Sequence, residues 1–137
     1  MASFVYNSVL TDVVNADLDF AVDSFKMMLV TSSYSASKSA HAKRSSVTNE
    51  LASSGGYTAG GAATSCSISD DTNKKILTFS AVSWSSATFT VAAAVIYKAR
   101  GGASSADELV AYIDFNGDVV STGGTFSVSS SVITLAN

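Results

Sequence analysis

The single histidine of the chain, His41, is the residue from which catalytic chemistry would most readily be built. It lies in a serine-rich loop, so a Ser-His-Asp triad is conceivable, but no G-x-S-x-G motif presents a nucleophilic serine. A zinc site would require His41, the single cysteine Cys66 and carboxylates distant in sequence to converge. We therefore predict no catalytic residue and no metal-binding residue, and we predict that the protein is not an enzyme.

Three further groups of residues resemble sites only in part. Residues 114–118 read D-x-N-x-D, but the glycine and the glutamate of a calcium-binding EF-hand loop are missing, so we predict a strand end and a turn. The adjacent acids Asp70-Asp71 and Asp107-Glu108 are typical of solvated turns or of opposite strand faces, not of paired acid and base. The pairs Gly55-Gly56 and Gly60-Gly61 lack the lysine and Ser/Thr of a phosphate-binding loop. We therefore predict no cofactor.

The aromatic residues and the cysteine are predicted to pack in the core. Trp84 and the tyrosines could form a platform for sugars, but Trp84 alternates with Val82, which favours a buried strand face. Cys66 is the only cysteine, so an internal disulfide is excluded. Because a small apolar cysteine is usually buried, we predict that Cys66 lies inside.

The charge pattern indicates a surface suited to protein contact. Charged residues make up only 14% of the chain, so Ser, Thr, Asn and Gly must cover much of the surface. The net charge of -3 argues against nucleic acid as a partner, because phosphate binding needs a basic face. A local basic patch, formed by Lys38, His41, Lys43 and Arg44, is predicted to be a solvated loop rather than an anion site. An acidic cluster near the N-terminus could meet the basic loop of another copy; it comprises Asp12, Asp17, Asp19 and Asp23.

The sequence contains no recognisable targeting or membrane segment. No positive region followed by a long apolar run marks a signal peptide. No stretch of about 18 apolar residues occurs, so we predict no membrane partner and synthesis in the cytoplasm. The length of 137 residues suits one domain, which we assign to residues 1–137.

The N-terminal half is predicted to contain the helices. Residues 3–18 have helical spacing, with Ser3 as a cap. Residues 25–31 form a short apolar segment that predicts a buried strand, and residues 34–44 form a polar loop. A second short helix is predicted over residues 47–51. Residues 53–61 are rich in glycine and predict a flexible connection.

After residue 61, the alternation of side chains with a period of two residues, which is typical of β-strands, predominates. Strands are predicted at residues 62–69, 75–79, 82–84, 88–98, 109–115 and 125–135. Asn116 and Gly117 form the best hairpin-turn signal, because both residues tolerate positive φ. We predict a mainly β, single-domain antiparallel β-sandwich, jelly-roll-like or related, with one or two short helices near the N-terminal half. Because the chain has no proline, its strand edges must be protected by pairing, bulges or a partner.

Four blocks in this order resemble a family of small virion structural proteins of tailed bacteriophages. They are VYNSVLTDVVNADLDFAVDSFKMMLVTSSY (residues 5–34), RSSVTNELASSGGYTAGGAA (44–63), VSWSSATFTVAAAVIYKA (82–99) and LVAYIDFNG (109–117). None is a mechanistic motif, so the resemblance depends on their combination. It implies a capsid cement or decoration protein, with the major capsid protein and further copies of itself as partners. It also implies a place on the capsid surface after synthesis in the host bacterial cytoplasm.

Two alternatives remain open from the sequence. A tail or head–tail connector protein would need similar contact surfaces, and a receptor- or glycan-binding module would use Trp84. The N-terminal segment and residues 34–44 are the candidates for reaching a neighbouring copy, by strand addition or exchange. Deleting residues 1–14 is therefore expected to weaken dimerisation or shell binding.

Overall fold

A computed structural model describes residues 2–137 and contains two antiparallel sheets that pack face to face. The larger sheet has the order β1-β7-β6-β2-β3 and the smaller sheet the order β4-β5-β8. The strands are β1 (Phe4–Val5), β2 (Phe25–Val30), β3 (Ala62–Thr64), β4 (Cys66–Asp71), β5 (Lys74–Phe79), β6 (Val82–Lys98), β7 (Leu109–Val128) and β8 (Ser131–Ala136). The helical segments are α1 (Ser8–Val14) and two 3-10 turns, Arg44–Ser46 and Ser104–Ala106. The predicted mainly β sandwich with a short helix near the N-terminus is confirmed.

Apolar side chains fill both faces of the larger sheet. On one face, Met27 and Ile96 meet Leu77 and Phe79 of the smaller sheet, which forms the main core. On the other face lies a second cluster, which contains Tyr6, Met28, Val30, Tyr34, Ala93, Val95, Tyr97, Leu109 and Tyr112. Burial on both sides explains why β2 reads as a nearly continuous apolar run, and its prediction as a buried strand is confirmed.

The predicted N-terminal helices are shorter than expected or absent. Phe4 and Val5 pair with β7, and α1 begins only at Ser8, because valine-rich segments adopt extended structure readily. Ser3 does not cap the helix; its Oγ accepts a hydrogen bond from the Asp114 backbone N–H at 2.8 Å. The helix predicted over residues 47–51 was wrong: Asn49 has a φ of 60°, which breaks a helix, and Glu50 bridges to β2.

Bulges replace several of the predicted strand ends. The predicted strands at residues 82–84 and 88–98 are one strand, β6, with an irregularity around Ser86, whose φ is 50°. The predicted hairpin at Asn116 and Gly117 was wrong, because β7 continues through it. Both residues do have positive φ, but in a bulge where the register with β6 shifts. The single strand predicted at residues 62–69 divides into β3 and β4, which belong to different sheets.

The register shift between β6 and β7 also changes which side chains of β6 share a face. Simple alternation along β6 would place Phe89, Val91, Ala93, Val95 and Tyr97 on one face of this strand. The register shifts between Val91 and Ala93, so Val91 lies in the core between the sheets with Ala94 and Ile96. Ala93, Val95 and Tyr97 face the opposite cluster. The shift therefore puts Val91 and Ala93 on opposite faces of the larger sheet, which is covered on both sides.

Candidate functional site

The structure places His41 in a structural hydrogen-bond chain. Its Nδ1 accepts from the Ser37 backbone N–H at 3.2 Å, so this nitrogen also accepts from the Tyr34 hydroxyl at 2.9 Å. The Tyr34 hydroxyl lies 3.0 Å from that of Tyr6, and burial raises the pKa of Tyr34. These hydrogen bonds join the loop of residues 34–44 to the N-terminal segment. Among residues 2–137, no group of three or more His, Cys, Asp or Glu side chains is arranged to hold a metal ion.

Asp107 and Glu108 are the centre of an ion-pair network in which both acids are buried, so of the two environments typical of adjacent acids the solvated turn is excluded. Each is only 2% exposed. Arg44 Nε donates to Asp107 at 2.8 Å, and Lys43 Nζ donates to Glu108 at 2.7 Å. Arg100 Nε donates to Glu108 at 2.9 Å. The network fastens two loops that are distant in sequence, around residues 43–44 and 100–108.

The environment shifts the pKa values of two acids in opposite directions. Burial alone would raise the pKa of Glu108, but hydrogen bonds from Arg100 and Lys43 outweigh it and hold the pKa below its ordinary value. Burial raises the pKa of Asp12; the nearby Lys43 opposes this effect, and Glu108 adds to it. Glu108 is therefore stabilised as a carboxylate, whereas ionisation of Asp12 costs free energy.

Three residues of the predicted basic patch and acidic cluster, Lys43, Arg44 and Asp23, form ion pairs within their own chain. Lys43 and Arg44 bind the acids described above, and Asp23 accepts from Lys98 Nζ at 2.9 Å. The guanidinium of Arg44 also lies 5.0 Å from the centre of the Tyr97 ring. Because these residues already form ion pairs within one chain, they are poor candidates for charge pairing between copies.

The remaining sequence candidates are also structural. Asp114 Oδ1 accepts from the Asn116 backbone N–H at 3.1 Å, a local turn inside the bulge of β7 rather than the predicted strand end. Cys66 is half-buried and packs against the main core, and burial raises the pKa of its thiol. Asp70 pairs with Lys75 on an exposed strand surface.

The aromatic rings do not form a sugar platform. Trp84 is only 6% exposed and packs near the rings of Tyr57 and Phe126, which confirms its prediction as a core residue. All five tyrosines are buried as well: Tyr6, Tyr34, Tyr57, Tyr97 and Tyr112. Flat stacking against a glycan requires an accessible ring face, which these six residues do not provide.

Two strand edges stand out as surfaces that lack protection. Residues 119–137 contain no charged side chain. They include the second half of β7, where Val120 is 69% exposed, and all of β8, where Val132 is 59% exposed. On the side away from β6, β7 pairs with β1 only at Ala111 and Tyr112. β8 pairs with β5 on one side, and no strand of the described residues lies on its other side.

The other strand edges are short, charged or covered. β3 has three residues, and β4 ends in Asp70 and Asp71. The edge of β6 is covered by the glycine loop: the Thr88 backbone N–H donates to the Gly55 carbonyl at 2.8 Å, and a Cβ on Gly55 would overlap the Thr88 carbonyl. Exposed edges template pairing with another chain unless they are blocked in these ways.

We therefore take the open edges, defined as residues 119–128 and Ser131–Ala136, as the candidate functional site. β8 is the more regular of the two, because its six residues pair with β5 without a register shift. In β7 a bulge near Gly123, whose φ is 73°, interrupts the edge. The sequence signal for this site was present in the absence of charge after Asp118, but it did not show which strands are edges.

Comparison of the chain with protein-family models, with curated proteins and with solved structures finds no match in any of the three. None of the helices formed by residues 2–137 has the length and apolar character needed to cross a membrane.

Proposed function

We propose that this chain is a non-enzymatic structural protein of a tailed-bacteriophage virion. It binds the assembled capsid shell and stabilises it as a cement or decoration protein, as a dimer or higher homo-oligomer. The virion assignment comes from the resemblance carried by residues 5–34, 44–63, 82–99 and 109–117. The observation that supports a binding role is the open edge of β8, which offers unpaired backbone groups without charge repulsion.

Cementing requires binding to the shell and nothing more. A protein that binds only the assembled shell stabilises it by mass action, by about 2.7 kcal/mol per site at a free concentration 100 times the Kd. Many weakly charged copies can crowd on a shell because they repel one another little. The proposal places the protein on the capsid surface after synthesis in the host bacterial cytoplasm.

The test uses tail-free heads of the corresponding phage that lack this protein. Purified protein is added over a range of concentrations, the heads are sedimented, and their resistance to heat or chelator is measured. Saturable binding with more resistant heads supports the proposal. Binding to isolated tails with none to heads would instead identify a tail or connector protein, which uses the same kind of edge.

The glycan-binding alternative is weakened by the burial of Trp84 and of the tyrosines. Retention on immobilised host-surface glycans, with no binding to heads or tails, would nevertheless establish it and overturn the proposal.

The N-terminal segment and residues 34–44 both contact their own chain. Tyr6 and Val9 are buried in the two core clusters, and the Asn7 backbone N–H donates to the Lys38 carbonyl at 2.9 Å. Met1 lies outside the described residues. Deleting residues 1–14 would expose core side chains, so such a deletion reports on folding as well as on shell binding. Point changes at the open edges are the cleaner test.

A further inference from the structure

An apolar cleft of about 370 Å³ lies beside the open edge of β8. Val5 of β1, in the larger sheet, and Ile133 of β8, in the smaller sheet, both line it. The floor is the inner face of the larger sheet, with Ile96, Ala111 and Ile113. The smaller sheet therefore ends before it has covered β7, and the sandwich is open along this side.

We propose that this cleft receives an extended segment of the shell protein, which pairs with β8 as a fourth strand of the smaller sheet. Two features of the site specify this occupant: the unpaired backbone of β8 and the apolar cleft beside it. The unpaired edge of Ser131–Ala136 requires a partner with free backbone N–H and C=O groups, and a β-strand supplies both. Every second side chain of that strand would point into the cleft.

The charge of the site specifies the chemistry of the segment. All residues that line the cleft are uncharged, and the only hydroxyl-bearing ones among them are Ser3, Tyr112 and Ser131. A charged side chain would lose its hydration there without gaining a counter-ion. The segment is therefore apolar at alternate positions and uncharged between them. With six residues spanning about 20 Å, β8 has room for five or six residues of the partner.

The geometry favours a single strand over a second copy of this domain. β7 and β1 extend beyond β8 on the inner side, as the lining of the cleft shows. Two copies paired through β8 would bring both larger sheets into the same layer beneath the joined edge, where they would overlap. A lone segment meets no such obstacle. The choice of the shell protein as the source of this segment rests on the proposed function. The cleft and the chemistry of its occupant do not depend on that function.

The experiment compares four proteins on heads that lack this chain. Val132→Lys places a charge on the exposed side of the β8 edge, and Ser131→Lys places one at the rim of the cleft. Ser69→Lys is the matched control, because it adds the same charge at an exposed position on β4, the opposite edge of the smaller sheet from β8. Circular dichroism establishes that each variant is folded, and two variants at the edge guard against the failure of one. Binding is measured by sedimentation, and hydrogen–deuterium exchange is measured on free and head-bound wild type.

We expect wild type and Ser69→Lys to bind equally and both edge variants to bind at least about tenfold more weakly. The amides of Ser131–Ala136 should exchange more slowly on heads. Equal binding by all four proteins would overturn the inference and leave the proposed function intact, whereas no binding by wild type would defeat the proposed function. If Val132→Lys instead abolished dimerisation in analytical ultracentrifugation without changing head binding, the occupant would be a second copy, and the inference would be wrong.

Discussion

Replacing Glu108 by glutamine should destabilise the protein by about 2 kcal/mol at neutral pH. The carboxylate of Glu108 accepts hydrogen bonds from Lys43 Nζ at 2.7 Å and from Arg100 at 2.9 and 3.2 Å. Breaking a fully buried ion pair costs about 3–5 kcal/mol. Here the two cations have side-chain exposures of 36% and 38%, so water can partly replace the lost acceptor. Hydrogen bonds to charged groups, worth about 1.5–3 kcal/mol, set the expected cost.

The pH dependence of this difference follows from the lowered pKa of Glu108. A carboxyl group whose pKa is lower in the folded state contributes stability above its unfolded pKa, about 4.3 for glutamate, and loses it as the pH falls through the folded value. The difference between wild type and Glu108→Gln should therefore be constant from about pH 5 to 7 and shrink below about pH 4.

Urea unfolding followed by the fluorescence of Trp84 provides the assay, because this is the only tryptophan and it is buried. The control is Asp70→Asn, which breaks an exposed pair with Lys75, whose side chain is 59% exposed. It should cost less than about 1 kcal/mol. Equal costs for the two variants, or a Glu108→Gln cost that persists unchanged at pH 3, would refute the assignment of Glu108 as a charged anchor.

Three other variants test separate features. Gly61→Ala should cost more than about 3 kcal/mol, because a Cβ there would overlap the Met27 carbonyl and φ is +80°, whereas Gly102→Ala, in open space, should be neutral within about 0.5 kcal/mol by thermal unfolding. Asp12→Asn should be more stable than wild type in urea unfolding, by a margin that grows by up to about 1 kcal/mol as the pH rises from 4 to 7, because a raised pKa makes ionisation of Asp12 costly. Tyr34→Phe should cost about 1–3 kcal/mol in the same assay, because it leaves a buried tyrosine hydroxyl without this partner. An unchanged free energy of unfolding for Gly61→Ala or Tyr34→Phe, or a stability difference for Asp12→Asn that does not vary with pH, would contradict the reasoning for that residue.

Local patterns in the sequence identified most of the strands and their burial. The apolar run of β2 and the alternation of Val82 and Trp84 report directly on contact with a core, and both predictions are confirmed. Asn116 and Gly117 do adopt positive φ, as the sequence indicated, because Gly and Asn tolerate this conformation better than other residues. Whether that geometry makes a hairpin or a bulge depends on the pairing partner, and here β6 extends past it.

The ion-pair network and the open edges could not be predicted, because both depend on contacts between residues distant in sequence. Asp107 and Glu108 become buried because Lys43 and Arg44, more than 60 residues earlier, arrive beside them. A pair of acids next to a polar loop gives no local sign of such partners, so the sequence left a solvated turn and opposite strand faces both open. In the same way, the absence of charge after Asp118 is visible in the sequence, but only the strand order shows that Ser131–Ala136 forms an edge.

The contrast among the strand edges supports the view that β8 is paired in the working state of the protein. The edge of β6 is shielded by a loop whose Gly55 and Gly56 permit close approach, and the edge of β4 carries two aspartates. Both devices prevent uncontrolled pairing. β8 has neither device, although a single lysine at Val132 or Thr134 would provide one. A regular, uncharged edge next to an apolar cleft would favour aggregation unless another strand paired with it, so we expect the assembled protein to bury it.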